Sequence, residues 1–208
     1  MPYDCGLLFT RSADALPRSF GPSPASAPPP YLTPGASVTA QPPVPSPLNV
    51  GIENSRRFRA LPLYASLVSL GRNGYRALIE RNVALAERIR AWMASPEGSR
   101  FYEAINPPGL STTASLPLNI VLFRGSAKLA QRCEWHPAQE GAGQALTEAI
   151  NTGRRIYVSP TVAWDGKSAC RIAVSNWAAG GGGEAEWERV REALVAVGEQ
   201  GLCRTPEA

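Results

Sequence analysis

Two lysines, Lys128 and Lys167, one histidine, His136, and four cysteines are the only side chains that offer this chain a nitrogen or sulfur nucleophile. A lysine amine becomes nucleophilic when desolvation or a neighbouring cation lowers its pKa toward neutrality. Lys128 follows Gly125-Ser126-Ala127 after an apolar strand, and Lys167 follows the turn pair Asp165-Gly166. Both positions imply exposure, protonation and little reactivity. His136 precedes Pro137 in a polar connection, with no serine or cysteine arranged around it for nucleophilic catalysis. Cys5, Cys133, Cys170 and Cys203 show neither CxxC nor Cys/His ligand spacing, and nothing resembling a signal peptide precedes them. They read as reduced thiols of a cytoplasmic protein, not as metal ligands or a disulfide framework. Ser55, ahead of Arg56-Arg57, stands where it can cap a helix.

The elements that would position these groups follow from composition and periodicity. The 208 residues are 44% hydrophobic, enough to bury a core, and the formal charge of +4 is spread along the chain without runs. So weak and mixed a bias argues against nucleic acid, and no apolar run reaches the ~20 residues that cross a bilayer. Between Pro17 and Pro47 eleven of the twenty prolines are gathered in a stretch with almost no charge, which blocks both helices and ladder bonding and predicts an extended loop. The loop reads as a linker, a functional lid or a binding segment.

Beyond it the sequence turns helical. SRRFRALPLYASLVSL starts after Asn54-Ser55, is kinked near Pro62 and ends at Gly71. A second amphipathic helix runs from Asn73 to about Met93, with Tyr75, Leu78, Ile79, Ala86, Ile89 and Met93 on its core face and Arg76, Glu80, Arg81, Glu87, Arg88 and Arg90 mostly off it. LNIVLFR (118–124) reads as a buried strand, ALTEAINTG as a helix stopped by Gly153, and RIYVSP as a strand. WDGKSACRIAVSN is a hairpin turning at Asp165-Gly166. The glycine run 180–183 lacks the Lys-Ser/Thr of a phosphate loop and reads as a connection to the closing helix EAEWERVREALVAVGEQ. The order of elements predicts an α+β module with an antiparallel sheet.

PYDCGLLFTRS, SRRFRALPLYASLVSLGRNGYRALIERNVALAERI, LNIVLFR and INTGRRIYVSPTVAWDGKSACRIAVSNW occur in this order across nearly the whole chain. Together they resemble the C-terminal half of the group II pyridoxal-phosphate-dependent amino-acid decarboxylases, the aromatic-amino-acid and histidine decarboxylase family. The resemblance implies the C-terminal part of an aspartate-aminotransferase-like type I fold, α/β to α+β. It divides the chain into a residual large-domain strand (1–16), a Pro-rich mobile loop (17–54), a helical connection (55–105) and a small α+β domain (106–208). It implies a homodimeric carboxy-lyase that uses pyridoxal 5'-phosphate to decarboxylate an amino acid. In that family the Schiff-base lysine precedes the Pro-Tyr-Asp-Cys-Gly segment, which here stands at residues 2–6. The expectation is therefore a chain that is inactive alone and does not hold the cofactor stably. By the same resemblance Tyr31 matches a loop tyrosine that protonates the substrate carbon in the partner's site, and Ser55 a polar contact to the substrate side chain. Two other readings stay open: a non-catalytic interaction protein using the Pro-rich loop, and a fragment of an aminotransferase-like enzyme.

Overall fold

A computed structural model describes residues 6–21, 51–52, 55–107, 109, 118–132, 141–178 and 183–200. The chain divides into two compact units, Met1–Gly71 and Arg72–Ala208.

In the first unit a short helix, α1 (Ala15–Phe20), carries Pro17 in its first turn, where a missing N–H costs nothing. Within the segment 1–16, expected to hold a residual large-domain strand, the described residues 6–16 form no strand. An extended segment becomes a strand only when a neighbour takes its backbone groups, and no described strand does so here. Leu7, Leu8 and Phe9 are consequently exposed. The long helical run α2 (Ala60–Ala94) begins five residues later than Ser55. The reason is Pro62. It sits in the first turn, where N–H groups have no intrahelical acceptor; a helix started at Ser55 would have required the N–H that proline lacks. Gly71 interrupts the run with φ 60° and ψ −177°, a left-handed value that side-chain-bearing residues avoid, so the break anticipated at Gly71 is present.

The second unit is built on a four-stranded antiparallel sheet of order β1-β2-β4-β3, with β1 at Tyr102–Ile105, β2 at Ile120–Gly125, β3 at Ser159–Val162 and β4 at Ser168–Ala173. Register pairs Ala104 with Phe123 and Phe123 with Cys170. Strand alternation then places Tyr102, Ala104, Val121, Phe123, Cys170 and Ile172 on one buried face, and Glu103, Leu122, Arg124 and Arg171 on the other. The buried face shares its core with Leu85, Ala86, Ile89, Trp92 and Met93 of α2, with Leu146 and Ile150 of α4 (Ala142–Thr152), and with Trp187 and Leu194 of α5 (Glu184–Gln200). A shorter helix, α3 (Ala127–Arg132), adds Leu129. β1 and the post-Gly71 part of α2 lie in the same packed unit as the elements that follow and supply apolar surface to its core.

Aromatic rings organise the centre. The Trp92 and Trp187 rings meet edge-on at 6.2 Å, and those of Tyr102 and Phe123 at 5.6 Å. The Tyr102 hydroxyl is satisfied by donating to the Leu194 carbonyl at 2.7 Å. Two details of α2 differ from its helical wheel. Ile79 is exposed, while Arg90 is buried and donates to the carbonyls of Leu118 and Ile120 at 2.8 and 2.5 Å. Carbonyls at the start of β2 need donors, and a guanidinium on the adjacent helix supplies them.

The hairpin turns where Asp165-Gly166 predicts, closed by Ala163 N–H donating to Lys167 O at 2.9 Å, with Gly166 at φ 74°. Strand β3 starts at Ser159, later than the RIYVSP reading. Asn151, at the end of α4, donates from Nδ2 to Val158 O and accepts from Val158 N–H, at 3.0 and 2.9 Å. That clamp holds Val158 to the helix end before the sheet ladder begins. Among the described residues no helix is long and apolar enough to cross a membrane.

Candidate functional site

The expected site residues do not come together. Tyr31 and His136 lie outside the described residues, as do Cys5, Cys133 and Cys203. Ser55 is exposed, five residues ahead of α2, so the helix-capping role suggested for it is not made. Lys128 is exposed on α3, and Lys167 is exposed in the hairpin turn with its Nζ 3.9 Å from Asp165. The remaining nucleophile, Cys170, is a free buried thiol that donates to Gly143 O at 3.2 Å and lies 3.4 Å from Thr147 Oγ1. Burial pushes its pKa up to about 11, which keeps it protonated and inert at neutral pH. Among the described residues no group of three or more His, Cys, Asp or Glu could hold a metal ion.

What the structure does assemble is a polar groove between the turn after α4 and the first half of α5. Arg154, Arg155, Ala185, Glu188, Arg189 and Glu192 line it. The two acids are already engaged. Arg155 donates to Glu192 Oε2 at 2.6 Å, and Arg191 donates from Nε to Glu188 Oε2 at 3.0 Å while its Nη1 reaches Glu97 at 2.9 Å. The side chains of Arg154 and Arg189 form no hydrogen bond or ion pair with any described residue. Sequence reasoning noticed the Arg154-Arg155 pair only as part of a longer resemblance. Its one local signal was a doubled arginine directly behind a helix-stopping glycine.

A second charged feature lies in the hairpin. Arg124 Nη2 donates to Asp165 Oδ2 at 2.9 Å, and Asp165 Oδ1 accepts the Lys167 N–H at 3.1 Å. These bonds hold the Asp165 carboxyl below its usual range against a desolvation effect that acts the other way. They stabilise the turn.

No protein-family model matches the chain, and no curated protein matches it in sequence. Solved structures do. Catharanthus roseus tryptophan decarboxylase in complex with L-tryptophan superposes with a TM-score of 0.54 at 22% identity, covering 74% of this chain and 29% of that one. Oryza sativa TDC with PLP and tryptamine superposes with a TM-score of 0.54 at 22% identity, covering 83% of this chain and 32% of that one. The chain therefore spans about three tenths of the length of the structures it matches.

Pyridoxal phosphate, present in the second of these structures, needs an amine to hold its aldehyde and donors for its phosphate. The described residues do not fit the first of these needs: both lysines project from exposed positions. The mixed helix and antiparallel-sheet architecture nonetheless agrees with the α+β portion that the sequence predicts. The fold is that of a part of the plant tryptophan decarboxylases, which are group II pyridoxal-phosphate decarboxylases.

Proposed function

We propose that this chain is the C-terminal portion of a pyridoxal-phosphate-dependent carboxy-lyase that decarboxylates an amino acid as a cytoplasmic homodimer. The observation that carries the reading is the fold likeness to tryptophan decarboxylases over 74% to 83% of this chain. The ordered SRRFRAL, LNIVLFR and WDGKSACRIAVSN segments support it from the sequence. In this reading the cofactor is anchored by residues outside this chain. The chain's own contributions are Tyr31, as the acid that delivers a proton to the substrate carbon after carbon dioxide leaves, and Ser55, as a polar contact to the substrate side chain. The interaction-protein reading rests on residues 17–47, of which 22–47 lie outside the described residues.

The test has two stages. Purified chain treated with pyridoxal phosphate and borohydride should give no saturable, site-specific adduct at Lys128 or Lys167; stoichiometric labelling of either overturns the assignment of the anchor elsewhere. When the chain is joined to, or mixed with, a polypeptide carrying the rest of the decarboxylase fold, amine should be released from an aromatic amino acid. In that active form Tyr31→Phe should lower turnover by roughly 10² to 10⁴ while substrate binding is retained, as loss of a general acid does. Unchanged turnover removes Tyr31 from the chemistry.

A further inference from the structure

Arg154 adopts φ 53°, and it is the one non-glycine residue with positive φ among those described. Its neighbour Gly153, which could take that conformation without penalty, instead has φ −67°. A side-chain-bearing residue is disfavoured in the left-handed region because its Cβ crowds the backbone. Such positions persist where surrounding structure enforces them, and they gather at ligand sites. Here the enforcement is visible. Arg154 N–H donates to Asn151 O at 3.0 Å, and the two-way bonding of the Asn151 side chain to Val158 closes the turn from its other end. The turn is therefore fixed before any ligand arrives, and it brings Arg154 and Arg155 into the lining of the groove that Arg189 also lines.

Charge within the groove is asymmetric in a useful way. Glu192 is satisfied by Arg155 and Glu188 by Arg191, which leaves two lining guanidiniums, Arg154 from the turn and Arg189 from α5, without a hydrogen bond or ion pair to a described residue. Each presents several N–H donors in a planar fork that matches the spacing of oxyanion oxygens. The lining is polar apart from Ala185, so the groove does not suit an apolar ligand.

We propose that the groove between the α4–β3 turn and α5 is a binding site for a small phosphate-type oxyanion, gripped between Arg154 and Arg189. The site is independent of the decarboxylase reading, since neither arginine has a role in it. Pyrophosphate and inorganic phosphate serve as probes, followed by isothermal titration calorimetry at low ionic strength. Saturable one-to-one binding of pyrophosphate is expected, weakened roughly tenfold or more by Arg154→Ala and by Arg189→Ala, the loss typical of a charge-assisted hydrogen bond. Arg171→Ala, which removes an exposed charge on the far sheet face, should leave binding unchanged.

Arg154→Gly separates the ligand role from a structural one. It relieves the left-handed strain and should raise the thermal midpoint by roughly 2–4 °C, yet it should weaken pyrophosphate binding as much as Arg154→Ala. Absence of saturable binding, equal loss in Arg171→Ala, or retained affinity in Arg154→Gly each overturns the proposal.

Discussion

The units Arg72–Ala208 and Met1–Gly71 treat the same kinds of side chain in opposite ways. In the former, Ile89, Val121, Phe123 and Leu194 are wholly buried. In the latter, Leu8 is 75% exposed, Phe9 87%, and Val68 66%, with Phe58, Leu61, Tyr64 and Leu67 also exposed. Apolar content does not separate them; the presence of partners does. The second unit has four strands in fixed register and four helical segments that share the core on their apolar face. The first has a short helix, the pre-Gly71 part of α2 and no described strand. Scattered exposed apolar residues are ordinary, whereas a run of them on one helix is not.

The largest expected effect sharpens that contrast. Phe123→Ala removes a fully buried ring that packs edge-on to Tyr102, and should lower unfolding free energy by about 3–5 kcal/mol. Val68→Ala, on the exposed part of α2, should stay within about 0.5 kcal/mol. Urea midpoints of the two variants check both figures; comparable losses would erase the distinction between the units.

A smaller effect comes from pH. The Cys170 thiol ionises near its reference value of 9.0 when unfolded, but only at about 11 when buried. Between these values the unfolded chain has lost the proton that the folded chain keeps, so stability falls as pH rises from 9 toward 11, by up to roughly 3 kcal/mol. Below pH 9 the contribution is fully present. Tyr102, whose hydroxyl burial also raises its pKa, acts in the same direction at higher pH. Urea titrations between pH 8 and 10.5 should show this decline, and Cys170→Ala should flatten it. An equally steep decline in that variant would place its origin in the other unit or in other groups.

The third effect concerns close packing. A Cβ on Gly198 would lie 2.5 Å from the Phe101 ring, which is itself buried. Gly198→Ala gains helix propensity on α5 but must displace that ring, and a net loss of about 1–3 kcal/mol is expected. A stabilised variant would mean that the core yields more readily than its burial implies.

The parts of the fold legible in sequence were those written in local chemistry. The β-branched run around Val121, the Asp165-Gly166 turn and the Gly153 stop each act within a few residues. Strand β1 was not legible: Tyr-Glu-Ala-Ile is four residues long, and only β2, paired from Tyr102 with Gly125 to Ile105 with Leu122, makes it a strand. Arg90 was assigned to solvent because its role depends on carbonyls 28 and 30 residues away. The arginine groove needs α5 beside the turn, a juxtaposition across 37 residues in the Arg155–Glu192 pair, and no periodicity reports such a distance. Ser55 failed as a cap for a more local reason, since Pro62 sets where α2 begins. Tyr31 was legible only through resemblance to other sequences.

The strand order has a consequence for how the chain acquires its structure. β3 and β4 form a hairpin and need only a short loop to close, whereas β2, in the interior of the sheet, must find β4 across a span typified by Asn119 and Val174, 55 residues apart. Loop-closure entropy makes that pairing the slower event. During synthesis at about 5–20 residues per second, β2 would emerge roughly three to ten seconds before its partner exists. Throughout that interval its Val121 and Phe123 side chains and one row of its backbone donors remain open to any other strand nearby. The nascent chain is therefore most prone to aggregate after β2 has left the ribosome and before the hairpin has followed it.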